Sequence, residues 1–251
     1  MSPLKGARLR LVRGLALAWL LTGHVALVPR ELVPWGSGHV LVPPAPLRAL
    51  VVFVGVACSV LLIAGRTTRP AALGLASTIF ALTFASEAYF ANNRVFVAAM
   101  LAVAVVAPDD PAERALRTQA ALVYVGAAID KLLDPAFRAG AVVAALVESV
   151  ATNGPPGAPG PFQWGSGDVS RSLSEALSEV FVVLALATIA LELALAAAYV
   201  RHSRAIPWLA SLLHLGIYFV TGSTFGVFLH AALITAFTLA PSGERRPRLR
   251  A

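Results

Sequence analysis

Three side chains that can carry or accept a proton lie within apolar stretches of this sequence. They are Lys131, Glu192 and His214. A lysine amine that an apolar environment keeps neutral can act as a general base, and a carboxyl group or an imidazole can relay protons to it. Because ionisable groups are costly in such an environment, each of the three predicts either a functional site or a polar contact between helices.

The spacing of two of these residues from nearby arginines predicts their depth in a membrane. Glu192 precedes the next arginine by nine residues, and His214 follows the previous one by ten residues. At about 1.5 Å of helix per residue, both lie about 14 to 15 Å from one boundary. His24 and His230 come out near the same level, although a histidine in such a position more often only links helices. We expect Glu192 and His214 to lie within hydrogen-bond or one-water distance, because the connection between their helices is short.

Lys131 lies further from that boundary and has two interpretations. It either extends to the outer membrane surface, where it could pair with Asp134, or points into a helix bundle. An inward lysine is either paired with Asp134 or Asp130, or neutral and able to act as a base.

The composition of the chain predicts that lipid surrounds these residues. Of the 251 residues, 58% are hydrophobic and 13% are charged, whereas a soluble domain has about 25% charged residues. The net charge is +7, but the basic residues lie between apolar runs and do not form a face with aromatic residues. We therefore predict an integral protein of the lipid bilayer with no nucleic-acid partner. The single cysteine, Cys58, excludes an intrachain disulfide and a thiolate metal cluster.

Apolar segments along the chain predict an all-α, multi-pass transmembrane bundle of about eight helices, which forms a single domain over residues 1–251. The segments cover about 12–28, 47–64, 71–90, 92–107, 118–134, 176–200, 205–221 and 225–240. We interpret the first as an uncleaved helix. The outer segment 134–175 contains an apolar stretch, 139–150, that we expect to form an interfacial helix.

The distribution of arginine and lysine predicts that both termini are cytoplasmic. With this orientation, 14 of the 20 basic residues lie on the inner side, including those of the tail 241–251, and five lie on the outer side. This bias follows the positive-inside rule. We predict a multi-pass protein of the inner (plasma) membrane, bacterial because of its alanine-rich composition and lack of organelle signals.

Several stretches in the later part of the chain resemble a known family. The run from Gln119 to Leu132, followed by Phe137-Arg138-Ala139-Gly140, resembles the pattern Gln-x-x-x-x-Tyr-x-x-Ala-x-x-x-Lys-Leu…Trp-x-x-Gly. The Asn92-Asn93-Arg94 turn and the late Glu192 and Leu213-His214-Leu215-Gly216 agree with further motifs. These motifs are typical of the horizontally transferred transmembrane domain (HTTM) family, which includes the membrane part of vitamin K-dependent γ-glutamyl carboxylase. Arginine and phenylalanine replace the usual histidine and tryptophan, and we expect no lumenal substrate domain.

The resemblance implies a quinone-dependent proton-abstraction or redox enzyme. In this interpretation Lys131 is the base that takes a proton from a reduced quinone, and His214 and Glu192 orient groups or relay protons. It also makes us expect that Lys131 points into the bundle. The residues implied in binding the quinone are polar side chains of the two matching motifs: Asn92, Asn93, Gln119 and Tyr124.

Two other functions stay open at the level of sequence. The chain could be a non-catalytic membrane subunit or scaffold that assembles with a membrane or secreted protein partner, in which Lys131 and Glu192 only join helices. A proton or small-solute pathway is the weaker alternative.

Overall fold

The computed structural model describes residues 4, 6–21, 42–85, 92–107, 109–153, 178–221 and 228–241, and all regular structure among them is helical. The predicted all-α fold is therefore confirmed. In chain order the helices are α1 Gly6–Leu21, α2 Ala45–Ile63, α3 Thr68–Ala85, α4 Asn92–Val106, α5 Asp109–Leu133, α6 Pro135–Arg138, α7 Ala141–Asn153, α8 Ser178–Val200, α9 Ile206–Thr221 and α10 Phe228–Leu239.

Eight of the ten helices in the described part of the chain correspond to the eight predicted apolar segments, and α6 and α7 lie in the predicted outer segment. Two starting points differ from the prediction, because apolar periodicity does not detect a polar helical turn. Helix α1 begins at Gly6 and includes basic residues, and α5 begins at Asp109. The first turns of α5 contain the i, i+4 pair of Glu113 and Arg117, with 3.9 Å between Oε2 and Nη1, which supports a helix there.

The helices pack side by side around one apolar core. Helix α1 contacts α2 and α10, α3 lies between α2 and α4, and α5 packs along α8. Fully buried side chains from several of these helices meet in the core, among them Trp19, Leu75, Leu101 and Tyr199. Small residues allow close approach: a Cβ atom on Gly14 would lie 2.6 Å from Ile234.

Arginines at one end of the bundle bind the free carbonyl groups at the ends of neighbouring helices. The guanidinium of Arg8, only 6% exposed, donates to Ala104 O at 2.8 Å and to Ala107 O at 3.0 Å, at the end of α4. Arg69 donates to Val105 O at 2.7 Å. These contacts satisfy carbonyls that lack an intrahelical partner and place positive charge at the negative end of the helix dipole.

A short helical segment follows α5 and returns the chain onto α8. The Asp134 carboxylate accepts a hydrogen bond from Ala136 N at 2.9 Å and caps α6, whose first residue is Pro135. Gly140 then turns the chain with a φ of 76°, and α7 begins. The predicted helix in 139–150 is present, and its Val143 belongs to a small apolar cluster that includes Phe181 of α8.

By length and composition, two of the described helices are long and apolar enough to cross a membrane, Ala45–Ile63 and Ser178–Val200. Shorter apolar helices cover Arg94–Val106, Ile206–Tyr218 and Phe228–Leu239.

Candidate functional site

The candidate site lies between α5 and α8, which run in opposite directions. Lys131 near the end of α5 reaches across to Glu192 in the middle of α8, with 2.7 Å between Nζ and Oε1. Glu192 is 5% exposed, and the Lys131 side chain is 26% exposed. The prediction that Lys131 points into the bundle is confirmed.

The partner of Lys131 is not one of the two aspartates near it in sequence. Asp130 is exposed, and the Asp134 carboxylate caps α6. The ammonium group of Lys131 also donates to Ala127 O at 3.3 Å and lies 5.7 Å from the centre of the Phe137 ring. Of the two alternatives for an inward lysine, pairing with Asp130 or Asp134 does not occur, because the long lysine side chain crosses to Glu192 on the facing helix.

A second polar contact lies seven residues before Lys131 on the same helix. The hydroxyl of Tyr124 and Nε2 of His214 are 2.7 Å apart, and both side chains are buried. Which group donates depends on the imidazole tautomer. The edge of the Phe228 ring packs on His214, with 5.3 Å between the ring centres. The rings of Phe228 and Tyr124 therefore pack against the imidazole of His214.

Tyr199 joins this cluster from α8, although the sequence did not indicate it. Its ring stacks on that of Tyr124, with 6.1 Å between the centres and 12° between the planes. Its spacing of seven residues from Glu192, about two helical turns, was the available signal. The hydroxyl of Tyr199 and Oε2 of Glu192 are buried without a hydrogen-bond partner among the described residues. A buried polar atom without a partner is costly, so these two atoms are candidates for contact with a ligand or water.

The expected contact between Glu192 and His214 takes a different form. No direct hydrogen bond joins these two described side chains, since Lys131 binds the carboxylate and Tyr124 binds the imidazole. Both nevertheless lie in one buried cluster between α5, α8 and α9.

The remaining predicted residues divide into two groups. Gln119 is half-buried on α5, and His230 is exposed on α10, so the histidine does not join the polar cluster. The second group lies outside the described part of the chain: His24, and the side chains of Asn92 and Asn93 at the start of α4.

The geometry suits proton transfer. A lysine, a carboxylate, two phenols and an imidazole meet in one region, and each of these groups can donate or accept a proton. The direct contacts form two separate pairs, Lys131 with Glu192 and Tyr124 with His214, and each pair can share a proton. Comparisons with family models, curated proteins and solved structures find no match to this chain. The resemblance to the HTTM family thus stays a prediction based on its motifs.

Proposed function

We propose that the chain crosses the membrane several times, with α1 to α5 and α8 to α10 as about eight spans, in the inner (plasma) membrane. The exposure of apolar side chains supports this. Only 17% of the residues in the most apolar 18-residue stretch of α2 are buried within the structure. For α8 the corresponding share is 33%. A core helix of a globular protein would bury most of such a face, whereas lipid can solvate it.

Within this membrane protein we propose an enzyme of the HTTM, vitamin K-dependent carboxylase-like type that removes a proton from a reduced quinone. The observation that carries the proposal is the Lys131–Glu192 contact, because a partly buried lysine and a buried carboxylate 2.7 Å apart can share a proton. The rest of the cluster supports it by supplying a second proton-exchanging pair, Tyr124 and His214.

The residues fit a quinone at one point, Oε2 of Glu192, which is buried and has no partner among the described residues. A carboxylate oxygen of this kind accepts a hydrogen bond from a phenolic hydroxyl. The Tyr124 and Tyr199 rings offer flat apolar surfaces beside it. A reduced quinone, when bound, would supply acidic hydroxyl groups and reducing equivalents.

The roles of the protein groups follow from their contacts. Lys131 is the base, and Glu192 Oε1 holds its amine in position. In the reactive form the proton shared by the pair lies on Glu192, so the Lys131 amine is neutral, and the proton that it then accepts leaves an ammonium group hydrogen-bonded to Glu192 Oε1. Tyr124 and His214 form the adjacent pair through which that proton can leave.

A second function is favoured by the surroundings of the lysine amine. Lys131 contacts Glu192, Ala127 O and the ring of Phe137. Such a lysine can join helices without reacting, as expected of a non-catalytic subunit that assembles with another membrane or secreted protein.

A reduced short-chain naphthoquinone distinguishes the two functions. Purified protein in lipid nanodiscs is heated with and without this compound, and aerobic oxidation of the compound is followed by absorbance. For the enzyme we expect a higher unfolding temperature and protein-dependent oxidation, since a ligand at 100 times its Kd stabilises by about 2.7 kcal/mol. Lys131→Met should abolish the oxidation.

Lys5→Met is the matched control, because Lys5 is the only other lysine of the chain. It should retain both effects. If the naphthoquinone neither stabilises the wild-type protein nor is oxidised by it, the quinone function is wrong and the subunit function is favoured.

A further inference from the structure

Polar side chains on α5 and α8 repeat at intervals of seven residues and face each other in layers. On α5 they are Arg117, Tyr124 and Lys131, and on α8 they are Glu192 and Tyr199. Seven residues make about two helical turns, or about 10.5 Å, so members of each series share one helix face. The two series therefore form a line of polar groups along the contact between antiparallel helices.

The contacts define three successive layers. The first is the Lys131–Glu192 pair at 2.7 Å, and the second is the stack of Tyr124 on Tyr199, with Tyr124 also bonded to His214. The third layer lies at the end of the helix pair: Arg117, paired with Glu113, is 14 residues before Lys131 on α5, and His202 is 10 residues after Glu192, so in these antiparallel helices both lie toward the same end. That turn contains the exposed His202.

We propose that these layers form a proton path, in which water molecules link Tyr199 and the Tyr124–His214 pair to Lys131 and Glu192 on one side and to His202 at the bundle end on the other. The path rests on the proposed function, because its role is to carry away the proton that Lys131 accepts. Its predicted direction is toward the cytoplasmic side.

The unsatisfied hydroxyl of Tyr199 is the strongest reason for this proposal. Tyr199 is fully buried, and its hydroxyl has no partner among the described residues, which is costly for a purely structural tyrosine. A phenylalanine would stack on Tyr124 equally well. A hydroxyl can instead accept one hydrogen bond and donate another, so it can pass a proton between neighbours.

The transfer is balanced at every group. A hydroxyl or imidazole that accepts a proton from one neighbour releases its own proton to the next. After one passage each side chain has regained its proton, and one proton has moved between Lys131 and water at the bundle end. No electron is transferred, and no oxidant is needed.

The end of the path lies among charged groups. Although His202 is exposed, partial desolvation in the turn and the positive charge of Arg117 lower its pKa, and Glu113 opposes this effect. The lowered pKa favours a neutral imidazole, which can both accept and release protons at neutral pH. His202 has a left-handed backbone conformation, with a φ of 50°, in the tight turn after α8.

The test measures hydrogen exchange at His214 and requires no quinone. The chain is labelled with ¹⁵N-histidine, transferred to D₂O in nanodiscs, and the loss of the His214 ring N–H signal is followed by NMR. The signal is assigned by its absence in His214→Asn. We expect Tyr199→Phe to slow the exchange by at least about tenfold, because the layer then lacks the hydroxyl that links the Tyr124–His214 pair to the bundle end.

Tyr218→Phe is the matched control and should leave the exchange rate unchanged, because it removes a hydroxyl on α9 beyond His214. Tyr199→Phe should fold normally, since the lost hydroxyl has no described hydrogen bond, and unchanged backbone amide exchange in α8 verifies this. Equal or faster His214 exchange in Tyr199→Phe would overturn the path. Because this result does not depend on the naphthoquinone, failure of the path and failure of the quinone function are distinguishable.

Discussion

Lys131 and Glu192 depend on each other, because removal of either leaves the other charge without its partner in an apolar environment. We expect Lys131→Met to lower the free energy of unfolding by about 3 kcal/mol or more, since it strands the more deeply buried carboxylate. Glu192→Gln should cost less, because Lys131 is one quarter exposed and can reach another acceptor.

The double variant Lys131→Met/Glu192→Gln tests this coupling directly. Its loss of stability should be smaller than the sum of the two single losses by at least about 1 kcal/mol. The measurement is equilibrium unfolding in mixed micelles with increasing denaturing detergent, followed by circular dichroism. Additive losses would show that the two side chains act independently.

The sequence predicted most members of this site but not their pairing. Lys131, Glu192 and His214 were identified because a polar residue in an apolar helix is conspicuous, and Tyr124 was identified through the resemblance to the HTTM family. Spacing from the flanking arginines gives depth along a helix, but it does not give the rotation of the helix about its axis. That rotation turns Glu192 toward α5, so the lysine and not His214 becomes its partner.

At the scale of helices, the turn from α6 to α7 depends on a glycine. A Cβ atom at Gly140 would lie 2.7 Å from backbone atoms of Phe181 and Val182 in α8, and the φ of 76° disfavours other residues. We expect Gly140→Ala to lower the free energy of unfolding by about 2 kcal/mol or more, because both the strain and the clash involve backbone.

Gly126→Ala is the control for this substitution. Gly126 lies in α5, and a Cβ atom there would have no neighbour within 4 Å. Alanine in a helix is favoured over glycine by about 0.5 to 1 kcal/mol, so this variant should be slightly more stable than the wild type. The same detergent unfolding measurement applies, and similar effects of the two substitutions would contradict the described turn.

Helix positions were predictable from apolar segments, whereas the polar turns at the helix ends were not. Arg8 was counted only as a signal of membrane orientation, yet it is buried and binds the carbonyls that end α4. The sequence also does not distinguish whether Trp19 and Trp208 pack in the bundle or anchor it at the membrane surface. Trp19 packs in the core at 1% exposure, and Trp208 is 79% exposed, a difference that depends on the faces of α1 and α9.

Across the whole molecule, the arginines that bind carbonyl groups at helix ends lie at one end of the bundle. Arg8 near the start of α1 and Arg69 near the start of α3 both bind the end of α4. Arg13 donates to Leu62 O, at the end of α2, at 3.3 Å. Helices of alternating direction thus bring their basic residues to one level, as the proposed orientation requires.

This orientation predicts which sites an impermeant thiol reagent reaches in intact cells. The single cysteine is first removed as Cys58→Ala, and one cysteine is then introduced at Arg66, Asn153 or Gly222. Arg66 lies in the turn between α2 and α3, at the arginine-rich end, and should react only after the cells are lysed. Cysteines at Asn153 and Gly222 should react from outside. Reaction at Arg66 in intact cells would reverse the orientation, and the absence of any difference between intact and lysed cells would contradict a protein that spans the membrane.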